Sequence, residues 1–144
     1  MAAQRRIYKC QVCETVAEVL EEFPLELVCC GRTMTPLAEK ATCKGKETHA
    51  PRVTRQANAI KVSVGTIPHP MAEDHFIEWI ELTTEEKCYR QFLQPDQMPE
   101  AVFDVAGDDV RVRAYCSRHG LWTTEESAAE APSDSEVRTD LSLV

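Results

Sequence analysis

Two groups of residues in this 144-residue chain have side chains that bind metal ions. In the first, Cys10 and Cys13 form a C-x-x-C, and Cys29 and Cys30 follow side by side after fifteen intervening residues. A C-x-x-C aims two thiolates at one ion from a tight turn, and a second cysteine pair completes a tetrahedron. Successive side chains on a strand point to opposite faces. Adjacent cysteines can therefore share an ion only where the backbone bends, which Gly31 permits. The tetrahedron is expected to be distorted. The competing account is two disulfides or reduced core cysteines. The clustering and the odd total of seven cysteines disfavour it. Four thiolates suit both zinc and iron, so these residues alone leave open whether the site is a structural clip or an electron-transfer centre.

The second group contains every histidine of the chain. His49 precedes Pro51, His69 lies between two prolines in IPHPM, and His75 stands at the entrance to FIEWIEL. Cys116 and His119 form a C-x-x-H after VRVRAYC. One such histidine alone would ordinarily be a surface or core residue, but four with a C-x-x-H form a ligand set. Five ligands argue against structural zinc, which closes at four. Blue copper takes two histidines, a cysteine and a weak axial group. Iron accepts a square of nitrogens with an axial thiolate, and that arrangement leaves one position open to a small molecule.

The elements that must hold these residues read as strands. AIKVSVGTI and FIEWIEL alternate apolar with polar residues, with Phe76, Ile77, Trp79, Ile80 and Leu82 as the expected buried set; KCYRQFL and DVRVRAYC follow. Turn-rich pieces such as QPDQMPE and VAGDD separate them, and no stretch reads as a long amphipathic helix. The expected fold is all-β, with an antiparallel β-sandwich whose loop ends gather the five ligands. The expected organisation is a metal-stapled module over 1–37, too poor in apolar residues to pack unaided, then a linker over 38–48 and the sandwich over 49–124. The acidic tail over 125–144 is expected to be disordered.

Of the net charge of -8, residues 1–37 contribute -1, 38–122 contribute -2 and 123–144 contribute -5. The body is nearly neutral and can hold a local positive field at a site. No basic stripe interleaves with aromatics, so nucleic-acid binding has no support. Neither a signal peptide nor an 18-residue apolar run occurs, which leads us to expect a cytoplasmic protein with no membrane contact. Clustered cysteines in a reducing compartment fit metal binding.

YKCQVC with LVCCGRTM resembles the desulforedoxin-type, rubredoxin-like module. ETHAP, VGTIPHPMAEDHFIEWIEL and YCSRHGLW resemble the catalytic domain that desulfoferrodoxins share with neelaredoxins. Over residues 7–122 the chain thus resembles desulfoferrodoxin, the two-iron class of superoxide reductase. The resemblance implies an immunoglobulin-like sandwich and two iron ions per chain. Cys10, Cys13, Cys29 and Cys30 would hold one. His49, His69, His75 and His119 would hold the other equatorially, with Cys116 axial. It further implies one-electron reduction of superoxide to hydrogen peroxide, with electrons from rubredoxin or an NAD(P)H-linked reductase, in a homodimer. Glu47 matches the family glutamate that occupies the sixth position of the resting ferric form.

Some positions depart from the family pattern. Thr48 stands where relatives commonly carry a lysine that attracts the anion, Arg118 replaces a usually apolar residue, and Ser117 a common asparagine. Arg118 or Lys46 is expected to supply part of the missing field. Glu14 stands where a glycine often follows the C-x-x-C, and Thr33 where a proline often follows the CCG. Cys88 is expected to be a small buried hydrophobe; Cys43 is a free thiol or an inter-chain cross-link. Two other functions are an electron carrier that does not turn over superoxide and a zinc-binding interaction module. Metal content and superoxide kinetics separate the three.

Overall fold

Ile60, Val62 and Val64 alternate with Lys61 and Ser63, and this period of two becomes a strand whose apolar side is fully buried. The structure is a computed structural model that describes residues 5–21, 26–41, 45–106 and 109–124. The expected disorder of the tail, the fate of Cys43 and the side chain of Lys46 lie outside the described residues. The chain divides into two compact units, one ending at Ala38 and the other beginning at Glu39.

In the first unit, β1 (Ile7–Lys9) pairs antiparallel with β2 (Val16–Glu18), while β3 (Val28–Cys29) and β4 (Arg32–Thr33) form a hairpin. The last strand, β5 (Thr35–Pro36), lies on the other side of β1. Among the described residues, only Ile7, Cys10 and Met34 of this unit are buried apolar side chains. So small a core makes metal binding part of the folding free energy.

The second unit contains β6 (Glu39–Lys40), α1 (Lys46–His49), β7 (Pro51–Arg55), β8 (Ile60–Val64), β9 (Ile77–Thr83) and β10 (Cys88–Phe92). After these come β11 (Glu100–Phe103), β12 (Arg111–Cys116) and β13 (Gly120–Thr123). One sheet runs β10-β9-β12-β13-β6 and the other β11-β8-β7. All neighbours are antiparallel except β6, which joins β13 in parallel. Ile60, Val62, Ala101 and Phe103 meet Ile80, Leu82, Val112 and Ala114 between the sheets, giving the expected sandwich. Residues 38–48, expected as a linker, carry β6 and the helical turn α1.

The outer face of the larger sheet departs from simple alternation. Trp79, Glu81, Thr83, Arg113 and Tyr115 point away from the core, yet all five are buried. Glu81 stands opposite Arg113 in the register and accepts a hydrogen bond from its Nε. Its other oxygen accepts from Arg90 Nη2 at 2.9 Å and from Cys88 Sγ at 3.2 Å. Arg113 Nη1 reaches Glu39 at 3.1 Å. Cys88 is thus not the buried hydrophobe expected. It is an exposed residue of edge strand β10 whose thiol donates to a carboxylate.

Candidate metal centres

In the first unit, the four thiols of Cys10, Cys13, Cys29 and Cys30 lie within 4.8 Å of one another. The Cys13–Cys29 and Cys29–Cys30 sulfur separations are 3.7 and 4.0 Å. A tetrahedron with metal–sulfur bonds of about 2.3 Å has edges of about 3.8 Å, so one ion fits between them. Cys30 and Gly31 form the two-residue loop of the β3–β4 hairpin, both with positive φ, 54° and 73°. This is the bend that adjacent cysteines require. Such a loop suits the right-handed twist of its strands.

Without metal, these thiols differ in protonation. Backbone N–H groups of Cys13 and Val12, each 3.4 Å from its sulfur, hold Cys10 below the usual thiol range. Thr15, with its hydroxyl 3.0 Å away, brings Cys13 down to about 6. Hydrogen bonding to Cys10 and Cys13 pushes Cys29 up to about 12, and Cys13 likewise raises Cys30. The backbone and Thr15 donors thus favour thiolate in the C-x-x-C loop, the form that binds metal.

The second centre is assembled from three loops at one end of the sandwich. α1 delivers His49. The β8–β9 connection delivers His69 and His75, the latter held in a tight turn where Ala72 and His75 exchange backbone hydrogen bonds at 3.0 and 3.1 Å. The β12–β13 turn delivers Cys116 and His119. Ser117 ties that turn beside His75, its N–H donating to the Phe76 carbonyl at 3.0 Å and its hydroxyl accepting from the Phe76 N–H at 3.1 Å. Tyr115 pairs with Trp79 and Cys116 with Ile77, so a bulge falls between Tyr115 and Cys116. Bulges re-aim side chains next to sites. Here the extra residue is Glu78 of β9, which lets Ile77 enter the core beside Cys116 while Trp79 stays on the outer face with Tyr115.

The four imidazoles form a ring. His49–His69, His69–His75, His75–His119 and His119–His49 have centroid separations of 4.6, 4.8, 4.9 and 4.8 Å, all edge-to-face, and the His49–His75 diagonal is 6.3 Å. The donor atoms of His49, His75, Cys116 and His119 lie within 4.8 Å of one another. His69 completes the square, its Nε2 3.3 Å from Cys116 Sγ. His75 Nε2 is buried with no hydrogen-bond partner. A buried nitrogen with no hydrogen-bond partner among four other convergent donors fits the role of a metal ligand.

Hydrogen bonds select the ligating nitrogens. His49 Nδ1–H donates to the Gly45 carbonyl at 2.8 Å and His69 Nδ1–H to that of Pro70 at 2.6 Å, leaving both Nε2 atoms free for metal. His119 instead presents Nδ1, 3.1 Å from His49 Nε2 and 3.7 Å from the thiol. Burial lowers the pKa of His49, of His69 to about 4 and of His75, so these imidazoles keep their lone pairs. Burial raises that of Cys116, against backbone N–H groups of Arg118 and His119 that lower it. Five donors with one thiolate exceed what structural zinc takes and suit iron with one position open.

The remaining residues singled out from sequence lie around this centre. Glu47 is exposed in α1, two residues before His49. Its carbonyl accepts from Ile67 N–H at 3.0 Å and Thr66 hydroxyl at 3.2 Å. Thr48 turns inward, with its hydroxyl 3.2 Å from the Gly45 carbonyl and 3.0 Å from His49 Nδ1. Arg118 is exposed, 3.7 Å from Asp74. Sequence reasoning missed Trp122, which stacks on His49 at 4.7 Å and 20°. It also missed Gly65, against which the backbone of Glu47 and Thr48 packs. The glycine that ends an alternating strand and the tryptophan just after C-x-x-H-G were the available signals.

Comparison with known proteins covers both units. The profile described as "Desulfoferrodoxin, N-terminal domain" matches residues 2–37, and that described as "Desulfoferrodoxin" matches residues 41–125. The desulfoferrodoxin of Syntrophotalea carbinolica is 45% identical over 125 residues, which span 87% of this chain and 99% of that protein. A desulfoferrodoxin homolog of Archaeoglobus fulgidus is 43% identical over 122 residues, 85% and 98% of the two chains. The crystal structure of the superoxide reductase from Treponema pallidum matches with a TM-score of 0.69 at 24% identity, covering 85% of this chain and 98% of that one, and so supports the fold. Two adjacent profiles, near-complete relatives and two converging donor sets lead to one conclusion: the chain belongs to the desulfoferrodoxin family.

Proposed function

We propose that the protein reduces superoxide to hydrogen peroxide, one electron per turnover, at the four-histidine, one-cysteine centre. The observation that carries this reading is the ligand set itself: His49, His69, His75, His119 and Cys116 converge, and their number leaves a sixth position open. An iron ion held there supplies the one-electron chemistry and the open position. The protein's residues do the rest. His49 and His69 are locked by backbone carbonyls in the tautomer that presents Nε2, and burial keeps them neutral. The Cys116 sulfur accepts the His119 N–H at 3.4 Å, which stabilises its anionic form.

On this reading, Glu47 would be the residue that closes the remaining position when substrate is absent, supported by its place in α1 two residues before His49. Thr48 fixes His49 instead of providing a charge. Arg118 or Lys46 supplies the attraction for the anion; an exposed Arg118–Asp74 pair at 3.7 Å is weak and leaves the guanidinium field available. The tetrathiolate centre holds the second iron. An external donor such as rubredoxin or an NAD(P)H-linked reductase would supply the electron, and the protein would work as a cytoplasmic homodimer. Among the described residues, no helix is long and apolar enough to cross a membrane.

The test is a superoxide pulse on the reduced, iron-loaded protein. A rapid absorbance change at a rate approaching about 10⁹ M⁻¹s⁻¹ supports the enzyme. No reaction would leave an electron carrier. In the same assay, an Arg118→Ala protein with unchanged rate and salt dependence removes Arg118 from the mechanism.

A further inference from the structure

The two residues of β6 face opposite sides of the sheet, and each is anchored. Glu39 accepts from Arg113 Nη1 at 3.1 Å in the outer ionic cluster. Lys40 turns the other way, donating from Nζ to the His119 carbonyl at 2.9 Å, with its ammonium 5.6 Å from the centre of the Trp122 ring. The same carbonyl accepts Trp122 Nε1 at 3.1 Å, so both of its lone pairs are used. Trp122 then stacks on His49. A single ammonium therefore grips one metal ligand through its own carbonyl and a second through one indole.

We propose that Lys40 is a positioning residue of the four-histidine centre. Its charge-assisted hydrogen bond holds the turn from Cys116 to Gly120 and the Trp122 ring, so that His119 Nδ1 and His49 Nε2 face the same ion. Groups behind the ligands orient them and set metal affinity, and their loss typically lowers that affinity by about 10–100-fold. Trp122 still donates to the carbonyl when Lys40 is replaced, so the lower end of that range applies. β6 is suited to this task because Glu39 fixes its backbone on the opposite face. The inference rests on the metal centre alone and holds whether or not superoxide is the substrate.

The experiment is a Co(II) titration of the metal-free full-length chain, read on the d–d bands of the histidine centre. Lys40→Met is expected to bind Co(II) about tenfold more weakly at that centre with altered bands. Lys40→Arg, which keeps the charge and the donor, is expected to recover most of the affinity. Thiolate-to-cobalt bands from the four-cysteine centre serve as a control within the same molecule and should not change. Should Lys40→Met fail to fold by tryptophan fluorescence, Lys40→Gln is read in the same way. Lys40→Met affinity within twofold of the parent with unaltered bands overturns the proposal. So does a loss that Lys40→Arg leaves in place, which would reduce Lys40 to strand packing.

Discussion

Gly65→Ala is expected to disable the histidine centre from outside the ligand set. Gly65 has φ +86°, and a Cβ there would sit 2.4 Å from the Ile67 carbonyl oxygen, 2.9 Å from that of Glu47 and 2.9 Å from the Thr48 carbonyl carbon. All three are backbone atoms, which cannot swing aside as a side chain does. A left-handed conformation costs a non-glycine residue about 1–2 kcal/mol, and overpacking adds about 1–3 kcal/mol. The total is about 2–5 kcal/mol, a large share of a typical domain's stability. Relief requires α1 to move away, and α1 carries His49. Both tryptophans, Trp79 and Trp122, lie in the β-sandwich unit, so urea unfolding followed by fluorescence reports that unit alone. The midpoint should fall by an amount matching about 3 kcal/mol. Co(II) affinity at the histidine centre should fall while the four-cysteine centre binds as before. Stability within about 0.5 kcal/mol of the parent would refute the close-packing argument.

Three other expectations can be checked directly. Arg113→Met removes one of the two guanidinium groups on buried Glu81, Arg90 remaining at 2.9 Å, and should cost about 1–3 kcal/mol in urea unfolding; a loss below about 0.5 kcal/mol would contradict this. Lowering the pH should destabilise the metal-free sandwich: His49, His69 and His75 have folded pKa values depressed by burial, so the unfolded chain binds protons first. Stability is then complete above the unfolded value of about 6.5 and declines as the pH falls towards about 4, where His69 itself is protonated. A urea midpoint unchanged between pH 7.5 and 5.5, above the carboxylate range, would exclude this linkage. Glu14→Gly should stabilise the four-cysteine unit by up to about 1 kcal/mol, because Glu14 is left-handed at φ +65°; the check is slower metal loss to a chelator, and faster loss would count against it.

Both ligand sets were legible in the sequence because thiols and imidazoles are scarce and few alternatives explain so many in such spacings. The bend at Cys30–Gly31 was legible too, since two adjacent thiols cannot otherwise face one ion. The alternation in Ile60–Val64 announced its strand. The second buried face of the larger sheet was not legible: Glu81 and Arg113 occupy alternating polar positions, which in sequence read as solvent-facing. Cys88 was misassigned for the same reason, its thiol being drawn to a carboxylate that sequence placed in water. β6 is two residues long and has no period to detect, so Lys40 passed as linker. Thr48 was read by the charge it lacks, whereas its hydroxyl has a task of its own at His49.

The ionic cluster on the outer face also bears on how the chain finds its fold. β12 carries Arg113 and Tyr115 on one side and Val112, Ala114 and Cys116 on the other. A slip of one residue against β9 would exchange the two sides, driving a guanidinium among Ile80 and Leu82 and turning the Cys116 thiol away from the histidines. Apolar residues alone would penalise such a slip modestly. An unpaired guanidinium in the core forbids it. The Glu81–Arg113 pair is therefore a proofreading device for strand alignment, set three residues from the thiol whose aim depends on it.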